Sequence, residues 1–421
     1  MTAMNWTNYD HGQEYVPTGI HWQVAQSTSL QNIYFKMPVS TASQTTTAVG
    51  VFMENGSGGF VSDLEFFGGN IGFRAGSQQY TARNLQFTSC LTGVSMIWDW
   101  GFTWKNINFK SVWVAFDCTS IGGLDSQGTG SITVLGKVKK TWLLRNFTDM
   151  IQFGIDSKFD SVPYPITLRN GGPYPDILLD NLYIRNSASV VLISGGETIF
   201  KGKKIHKQAR SGTYLTTGLF KGTPGELYVT SWAYGRRYTS LGGSGTFTYG
   251  MLDPAPQKPE SLLDPDGEYF VRSRPQYESY AASAFIIATA NGVANDATGD
   301  QTSAINTLLS SNVGLPIFFP AGIYLVKGTV HVPVGSIIVG EGWSQIMGTG
   351  SYFEDELNPK VMVRVGAPGD SGIIQISDML FTVKGPTAGA ILMEWNVHES
   401  TQGSGTLEIV STSLSTEGTD R

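Results

Sequence analysis

Asn84-Leu85-Gln86-Phe87 is one copy of a phrase that the chain repeats: an Asn or Asp, an apolar residue, any residue, then an aromatic or aliphatic one. Upstream copies are Asn32-Ile33-Tyr34-Phe35 and Asp63-Leu64-Glu65-Phe66. Downstream copies are Asn106-Ile107-Asn108-Phe109, Asn181-Leu182-Tyr183-Ile184 and Asp378-Met379-Leu380-Phe381. Asp63 and Asn84 stand 21 residues apart, and Asn84 and Asn106 stand 22 apart. A second phrase keeps the same beat: Asn70-Ile71-Gly72-Phe73, Leu91-Thr92-Gly93-Val94 and Trp113-Val114-Ala115-Phe116. A fixed period with one short strand in each unit is the mark of a solenoid. The strands read as parallel, because antiparallel hairpins would need two-residue turns that the sequence lacks. The predicted fold class is therefore all-β, a right-handed parallel β-helix.

Working outward, residues 1–19 form an irregular N-terminal segment and residues 20–250 a first β-helix, whose most regular coils run from Gln31 to Thr119. Asn55 to Gly59, Gly68-Gly69 and Gly122-Gly123 punctuate it as corners, and Lys137 to Asp160 is less regular. Residues 251–283 carry Pro254, Pro256, Pro259, Pro265 and Pro275 and read as a connector. Its length argues that it lies ordered against a solenoid, since long structureless loops are uncommon. A second β-helix spans 284–405. It opens on a short amphipathic helix at Asp300–Leu309, with Ile305, Leu308 and Leu309 on one face and Asp300 or Thr302 as cap. Residues 406–421 form a divergent tail with one strand at most.

Composition narrows the partners. Charged residues are only 15% and the net charge is −6, so no polyanion partner such as nucleic acid is expected; the basic stretch Lys201 to Lys207 reads as a solvated face. No apolar run is long enough to span a bilayer, so no membrane partner is expected either. Ten Trp and 17 Tyr exceed what a core needs, and their flat faces suit sugar rings. Cys90 and Cys118 lie a little over one coil apart, and a disulfide and two free buried thiols are both open. Asn5-Trp6-Thr7, Asn55-Gly56-Ser57 and Asn146-Phe147-Thr148 are glycosylation sequons that lean toward secretion, although the polar N-terminus is no leader. No zinc spacing, calcium cluster or phosphate loop is visible, so no cofactor and no metal is expected.

Phe319-Pro-Ala-Gly-Ile-Tyr-Leu-Val326 after the Asp300 helix resembles the opening module of the pectate-lyase-like β-helix superfamily. Gly19 to Ile33, Phe52 to Gly59, Tyr269 to Glu278 and Ile391 to Ser400 together resemble fungal exo-β-1,3-glucanases of glycoside hydrolase family 55, over about residues 19–404. The resemblance implies two β-helices side by side, the second truncated here, with a cleft between them. It implies a secreted, monomeric glucan β-1,3-glucosidase that takes glucan ends by inversion, with a laminarin-like polysaccharide as partner. The first helix lacks its own opening module. The stretch in which the family's general acid is expected is also missing, so the chain looks like an internal piece of a longer enzyme.

An inverting glycosidase needs an acid for the leaving oxygen and a polar group to orient water. The resemblance implies that amide and hydroxyl side chains of the first helix orient that water. Asn55, Gln79 and Thr103 recur at 24-residue steps and could stack as a polar ladder. Gln79 and Thr103 are the candidates for water positioning and Asn55 for substrate binding, against an ordinary corner ladder. Glu394 sits in the apolar run Ala390 to Val397, where desolvation would favour its neutral form; it is a catalytic candidate, with Trp395 and His398 beside it in the substrate cleft. Trp98, Trp100 and Trp104 form the densest aromatic cluster and are substrate-binding candidates, some of them competing as core. They share a face if the stretch is one strand, but Gly101 argues for a corner. The alternatives are a non-catalytic polysaccharide-binding β-helix and a pectate-lyase-like or tailspike-like depolymerase of an acidic polymer.

Overall fold

The computed structural model describes residues 4–5, 16–26, 28–119, 131–135, 157–170, 176–203, 225–238, 240–254, 256–265, 269–272 and 275–412. The sequon at Asn146, the corner at Gly122-Gly123 and most of the Lys137 to Asp160 stretch lie outside these residues, as does the end of the basic stretch at Lys207. The described chain is almost entirely β, and it divides into two compact units, Met1–Ser273 and Arg274–Arg421. The division falls within the Pro-rich stretch rather than at its end.

In the first unit, the strands Thr28–Lys36, Gly59–Phe67, Ile71–Thr88 and Thr92–Lys110 pair in parallel, one after the other. Lys158–Asp160 and then Asp176–Arg185 continue the row. The register puts Ile33, Leu64, Leu85 and Ile107 in one line, one residue after each repeated Asn or Asp. A second parallel row runs through Thr18–Trp22, Val49–Met53, the first halves of the two long strands, Val114–Cys118, Tyr164–Leu168 and Ser187–Ile193.

The reason for the repeat is conformational. Asn32, Asp63, Asn84, Asn106, Asn181 and Asp378 all sit at φ between 55° and 59°. Short Asn and Asp side chains tolerate this left-handed region better than others, because they can bond locally. Here they also bond to each other: Asn84 Nδ2 donates to Asp63 Oδ1 at 3.0 Å, and Asn106 Nδ2 donates to Asn84 Oδ1 at 2.7 Å. Three residues on, the aromatic position of the phrase builds a column of buried rings. Phe35, Phe66, Phe87 and Phe109 stack with centroids 4.9, 4.7 and 5.0 Å apart. The glycine of the second phrase makes room for it. A Cβ on Gly72 would stand 2.6 Å from the Phe87 ring, and one on Gly93 would stand 2.4 Å from Phe109.

The expectation of parallel pairing throughout fails at the far end of this unit. Ser187–Ile193 pairs antiparallel with Thr198–Lys203, and Asp176–Arg185, Glu226–Arg237 and Thr246–Met251 form an antiparallel run. A four-residue turn at Ser194 to Glu197, with Gly195 at φ 67°, returns the first of these pairs, so a direct reversal needs no two-residue turn. The Pro-rich stretch lies on the unit. Tyr269 donates its hydroxyl to Asp180 at 2.9 Å, Lys258 pairs with the same carboxylate, and Lys105 and Arg83 donate to the carbonyls of Phe270 and Arg272. Cys90 and Cys118 are free and buried. Burial pushes the Cys90 thiol up to about 12, and burial with Asp117 and Asp99 nearby also raises Cys118.

The second unit has its own core and its own parallel sheets. Pro316–Phe318, Ile337–Gly348, Ile374–Val383 and Gly405–Thr412 form one, the last being the one strand that the tail was expected to allow. Val330–Val332, Lys360–Val365 and Ala390–Trp395 form another. The helix is Thr302–Ser311, and Ile305, Leu308 and Leu309 are buried in the core. The N-cap position falls on Gln301, without a side-chain cap, and not on Asp300 or Thr302 as expected; Asp300 Oδ1 accepts from the Thr302 amide at 3.0 Å one residue before it.

Candidate functional site

In the first unit the sugar-binding candidates gather where Val49–Met53 meets the two long strands. His21, Phe52 and Arg74 are register neighbours on successive strands. The His21 imidazole lies flat on the Phe52 ring at 4.8 Å, and the Arg74 guanidinium covers the other partner position at 5.0 Å. His21 Nε2 meets the Glu54 carboxylate at 2.7 Å. The Trp98 indole N–H donates to the Glu54 carbonyl at 3.2 Å, and Trp100 stands edge-on to Trp98 at 6.5 Å. The loop that follows is held from below: Ser77 Oγ donates to the Gly56 carbonyl, and Thr28 and Tyr80 share a hydroxyl bond of 2.8 Å. Gly59 sits at φ 147°, and a Cβ there would fall 2.2 Å from the Thr28 carbonyl. Only glycine closes the loop in this position.

Asn55 and Gln79 are exposed on this surface, and Thr103 is half-buried. They do not form the ladder that a 24-residue step suggests. Gln79 lies opposite Gly101, and Thr103 lies opposite Thr81, a step of 22. Gln79 and Thr103 therefore share a face on adjacent strands, displaced by two residues along the chain. Asn55 belongs to the loop beside them rather than to either strand.

The aromatic cluster splits. Gly101 lies within the continuous strand Thr92–Lys110, yet the facing changes there. Trp100 is 52% exposed, Trp98 is half-buried and Trp104 is 0% exposed. Trp104 stacks on Phe102 at 5.3 Å inside the core, so it cannot reach a sugar and its expected role is withdrawn. The shared face expected of a single strand fails because the alternation changes phase within it: Asp99 is buried beside the exposed Trp100, whereas Phe102 and Trp104 are buried.

In the second unit, Glu394 stands in a line with Arg364 and His331 on three paired strands. With Asp370 they line an open hollow of about 520 Å³. The expectation that desolvation favours the neutral carboxyl is overturned. Asn396 Nδ2 donates to Glu394 Oε1 at 2.8 Å and Arg364 Nε at 2.9 Å, and these bonds with the Arg364 charge hold Glu394 below the usual carboxylate range. Leu392 and Met393, on opposite sides of the strand, both pack against the core, so the apolar run reports its own burial and not that of the Glu394 carboxylate. Trp395 is half-buried and donates its indole N–H to the Val397 carbonyl at 2.9 Å; His398 is exposed. The His21–Glu54 pair was not singled out from sequence. Its signal was present, because both residues fall inside the two stretches that carry the family resemblance.

The model of the family described as rhamnogalacturonase A/epimerase, pectate lyase-like, matches residues 2–117 and 285–413. A Penicillium expansum protein named a non-secreted LysM effector is 37% identical over 91% of this chain and 28% of its own length. A glucan 1,3-beta-glucosidase of Cochliobolus carbonum is 30% identical over 93% of this chain and 44% of its own. A probable glucan endo-1,3-beta-glucosidase of Arthroderma benhamiae is 32% identical over 91% and 50%. The chain spans half or less of the length of each of these relatives.

Proposed function

The chain belongs to the rhamnogalacturonase A/epimerase, pectate lyase-like family, and on that premise we propose that it serves a glucan β-1,3-glucosidase of glycoside hydrolase family 55. In this reading two right-handed parallel β-helices lie side by side in an extracellular monomer, and β-1,3-glucan is hydrolysed from its ends with inversion. The names of the Cochliobolus and Arthroderma relatives support the substrate. The observation that carries the reading is the exposed Trp100 ring on the strand next to the one that carries the exposed Gln79, which lies opposite Gly101. An aromatic platform with an amide and a hydroxyl next to it stacks a sugar ring and orients water.

Glu394, held ionised by Arg364 and Asn396, suits binding of a glucose hydroxyl or a general base, and Trp395 and His398 flank that site. It does not suit proton donation, which needs a raised pKa. Each described carboxylate whose pKa departs from its ordinary range departs downward: Asp160, Asp296, Asp300, Asp355 and Glu394. We therefore expect this chain to bind laminarin and to release glucose from it poorly. Proton donation contributes typically ~10²–10⁴-fold, which is the deficit expected.

Incubation with laminarin separates the readings. Robust glucose release that Glu394→Gln abolishes would show that the acid is Glu394 and would overturn the assignment made here. Binding with no release at all, where slow release is expected, favours a polysaccharide-binding module. New unsaturated ends on an acidic polymer, with no binding of laminarin, would replace both with a depolymerase.

A further inference from the structure

The antiparallel end of the first unit carries an open hollow of about 390 Å³ that lies apart from Trp100 and Gln79. Residue size creates it. In the register of the strands Asp176–Arg185, Glu226–Arg237 and Thr246–Met251, Leu178 lies opposite Ala233, Ala233 opposite Gly250, and Gly235 opposite Thr248. Ile177 and Tyr234, one position along, are buried in the core. Strand alternation therefore turns Asp176, Ala233 and Gly235 outward. Small residues on adjacent strands leave the floor low. A Cβ on Gly250 would meet nothing within 4 Å, and one on Gly235 would fall 2.2 Å from Asp176 Oδ1. The Asp176 carboxylate leans over a position that only glycine leaves free, and Pro254 and Pro256 wall the hollow.

The mixture of charges selects the ligand. Among the described residues no side chain donates a hydrogen bond to Asp176, and no carboxylate pairs with Arg237, which also lines the hollow. A carboxylate on the floor opposes an anionic guest, and the adjoining Arg236 and Arg237 oppose a cation. An apolar floor of Ala and Gly, with one acceptor and one donor uncommitted, fits the carbon face and hydroxyls of a neutral pyranose. The volume is at the small end of ligand pockets, which typically run from ~300 to 1,000 Å³, and suits about one or two sugar rings.

The hollow also stands in line with the face already described. Thr103 lies opposite Thr133, Thr133 opposite Leu178, Leu178 opposite Ala233, and Ala233 opposite Gly250. Four strand steps separate Thr103 from Gly250, about 19 Å at the usual inter-strand spacing. We propose that the hollow is a distal subsite for a neutral oligosaccharide, so that one glucan chain running across the strands touches both Trp100 and Asp176. This rests on the glucan reading above.

The test is binding of laminarihexaose and laminaribiose to the full chain by calorimetry. Two variants block the hollow in different ways: the double substitution Asp176→Ala with Arg237→Ala, both at exposed positions, and Ala233→Phe, which fills the floor. Near-UV circular dichroism checks that each keeps the wild-type fold. The expected result is a hexaose Kd at least fivefold weaker in both variants with biose binding unchanged, and binding of both ligands roughly tenfold weaker in Trp100→Ala. Hexaose binding that falls in Trp100→Ala but is untouched in both hollow variants overturns the distal subsite and leaves the glucan reading standing. Absence of hexaose binding by the unaltered chain overturns the glucan reading, and the subsite with it.

Discussion

Gly72→Ala is ordinarily a mild change, and in a strand it should help, because glycine weakens strands. Here it should cost about 1–3 kcal/mol through overpacking. The new methyl would stand 2.6 and 2.7 Å from two atoms of the Phe87 ring and 2.9 Å from the Gly93 carbonyl. Carbon atoms prefer about 3.5–4.0 Å, so the ring must retreat by roughly 1 Å. It has nowhere to go, since Phe66 and Phe109 hold it at 4.7 and 5.0 Å on its two faces. Phe87→Ala alone should cost about 3–5 kcal/mol as a fully buried ring is lost. The informative variant is the double substitution. The methyl at residue 72 then enters the space that the ring vacated, and the overpacking cost largely disappears. The double variant should cost little more than Phe87→Ala, a favourable coupling of about 1–2 kcal/mol. Urea unfolding of the full chain measures this, followed by tryptophan emission from the buried Trp104, whose ring contacts Phe73 in the same core at 5.9 Å. Two transitions are expected for two units, and only the one that moves Trp104 should shift. Strict additivity, or a neutral Gly72→Ala, would refute the claim that glycine at this position exists to admit the ring column.

Other outcomes follow from the same contacts. Trp100→Ala should weaken laminarin binding by roughly tenfold, about 1.4 kcal/mol, with little change in stability, whereas Trp104→Ala should lose about 3–5 kcal/mol of stability; affinity electrophoresis and urea unfolding separate the two. Asn84→Ala should cost about 1–2 kcal/mol in the left-handed region and Asn84→Gly less, as read from unfolding midpoints. Burial would raise the Asp160 carboxyl, but bonds from Arg185, the charges of Arg185 and Lys158, and Ser161 hold it below its ordinary range. A depressed carboxyl stabilises above its unfolded pKa of about 3.9 and loses that contribution as pH falls through the folded value. Urea midpoints measured from pH 6 down to pH 3 should therefore drop less steeply in Asp160→Asn than in the unaltered chain.

The periodic part of this fold was legible because its cause is local. An Asn or Asp at φ near 56° followed by alternating core residues writes itself into the sequence at every step. The coupling of Gly72 to Phe87 was not legible, since it joins two phrases that were read separately. The antiparallel pair of Ser187–Ile193 with Thr198–Lys203 escaped because a four-residue glycine turn reverses a chain as well as a two-residue one. Site residues suffered more. Counting 24 residues from Gln79 to Thr103 ignored that the register advances by 22, so the two are offset neighbours rather than rungs of one ladder. Glu394 was judged by its apolar run, whereas its carboxyl is held down by the bond from Asn396, two residues on, and by Arg364, 30 residues away. Trp104 and Trp100 differ because the alternation changes phase between them.

The left-handed Asn and Asp positions also constrain how the length of this chain can vary. Ile33 and Leu64 are register partners 31 residues apart, while Leu64 and Leu85 are 21 apart, and the surplus sits in the loop between Lys36 and Val49. Loops absorb additions cheaply, because closure entropy grows slowly with length. A rung absorbs one only as a bulge: the spacing between the two long strands rises from 21 where Ala75 faces Met96 to 22 where Gly76 faces Trp98, and Tyr80 and Phe102 beyond it are both buried. Length change in the first unit therefore takes few forms: whole rungs of about 22 residues, free extension of the loops between them, or a single residue held in a bulge.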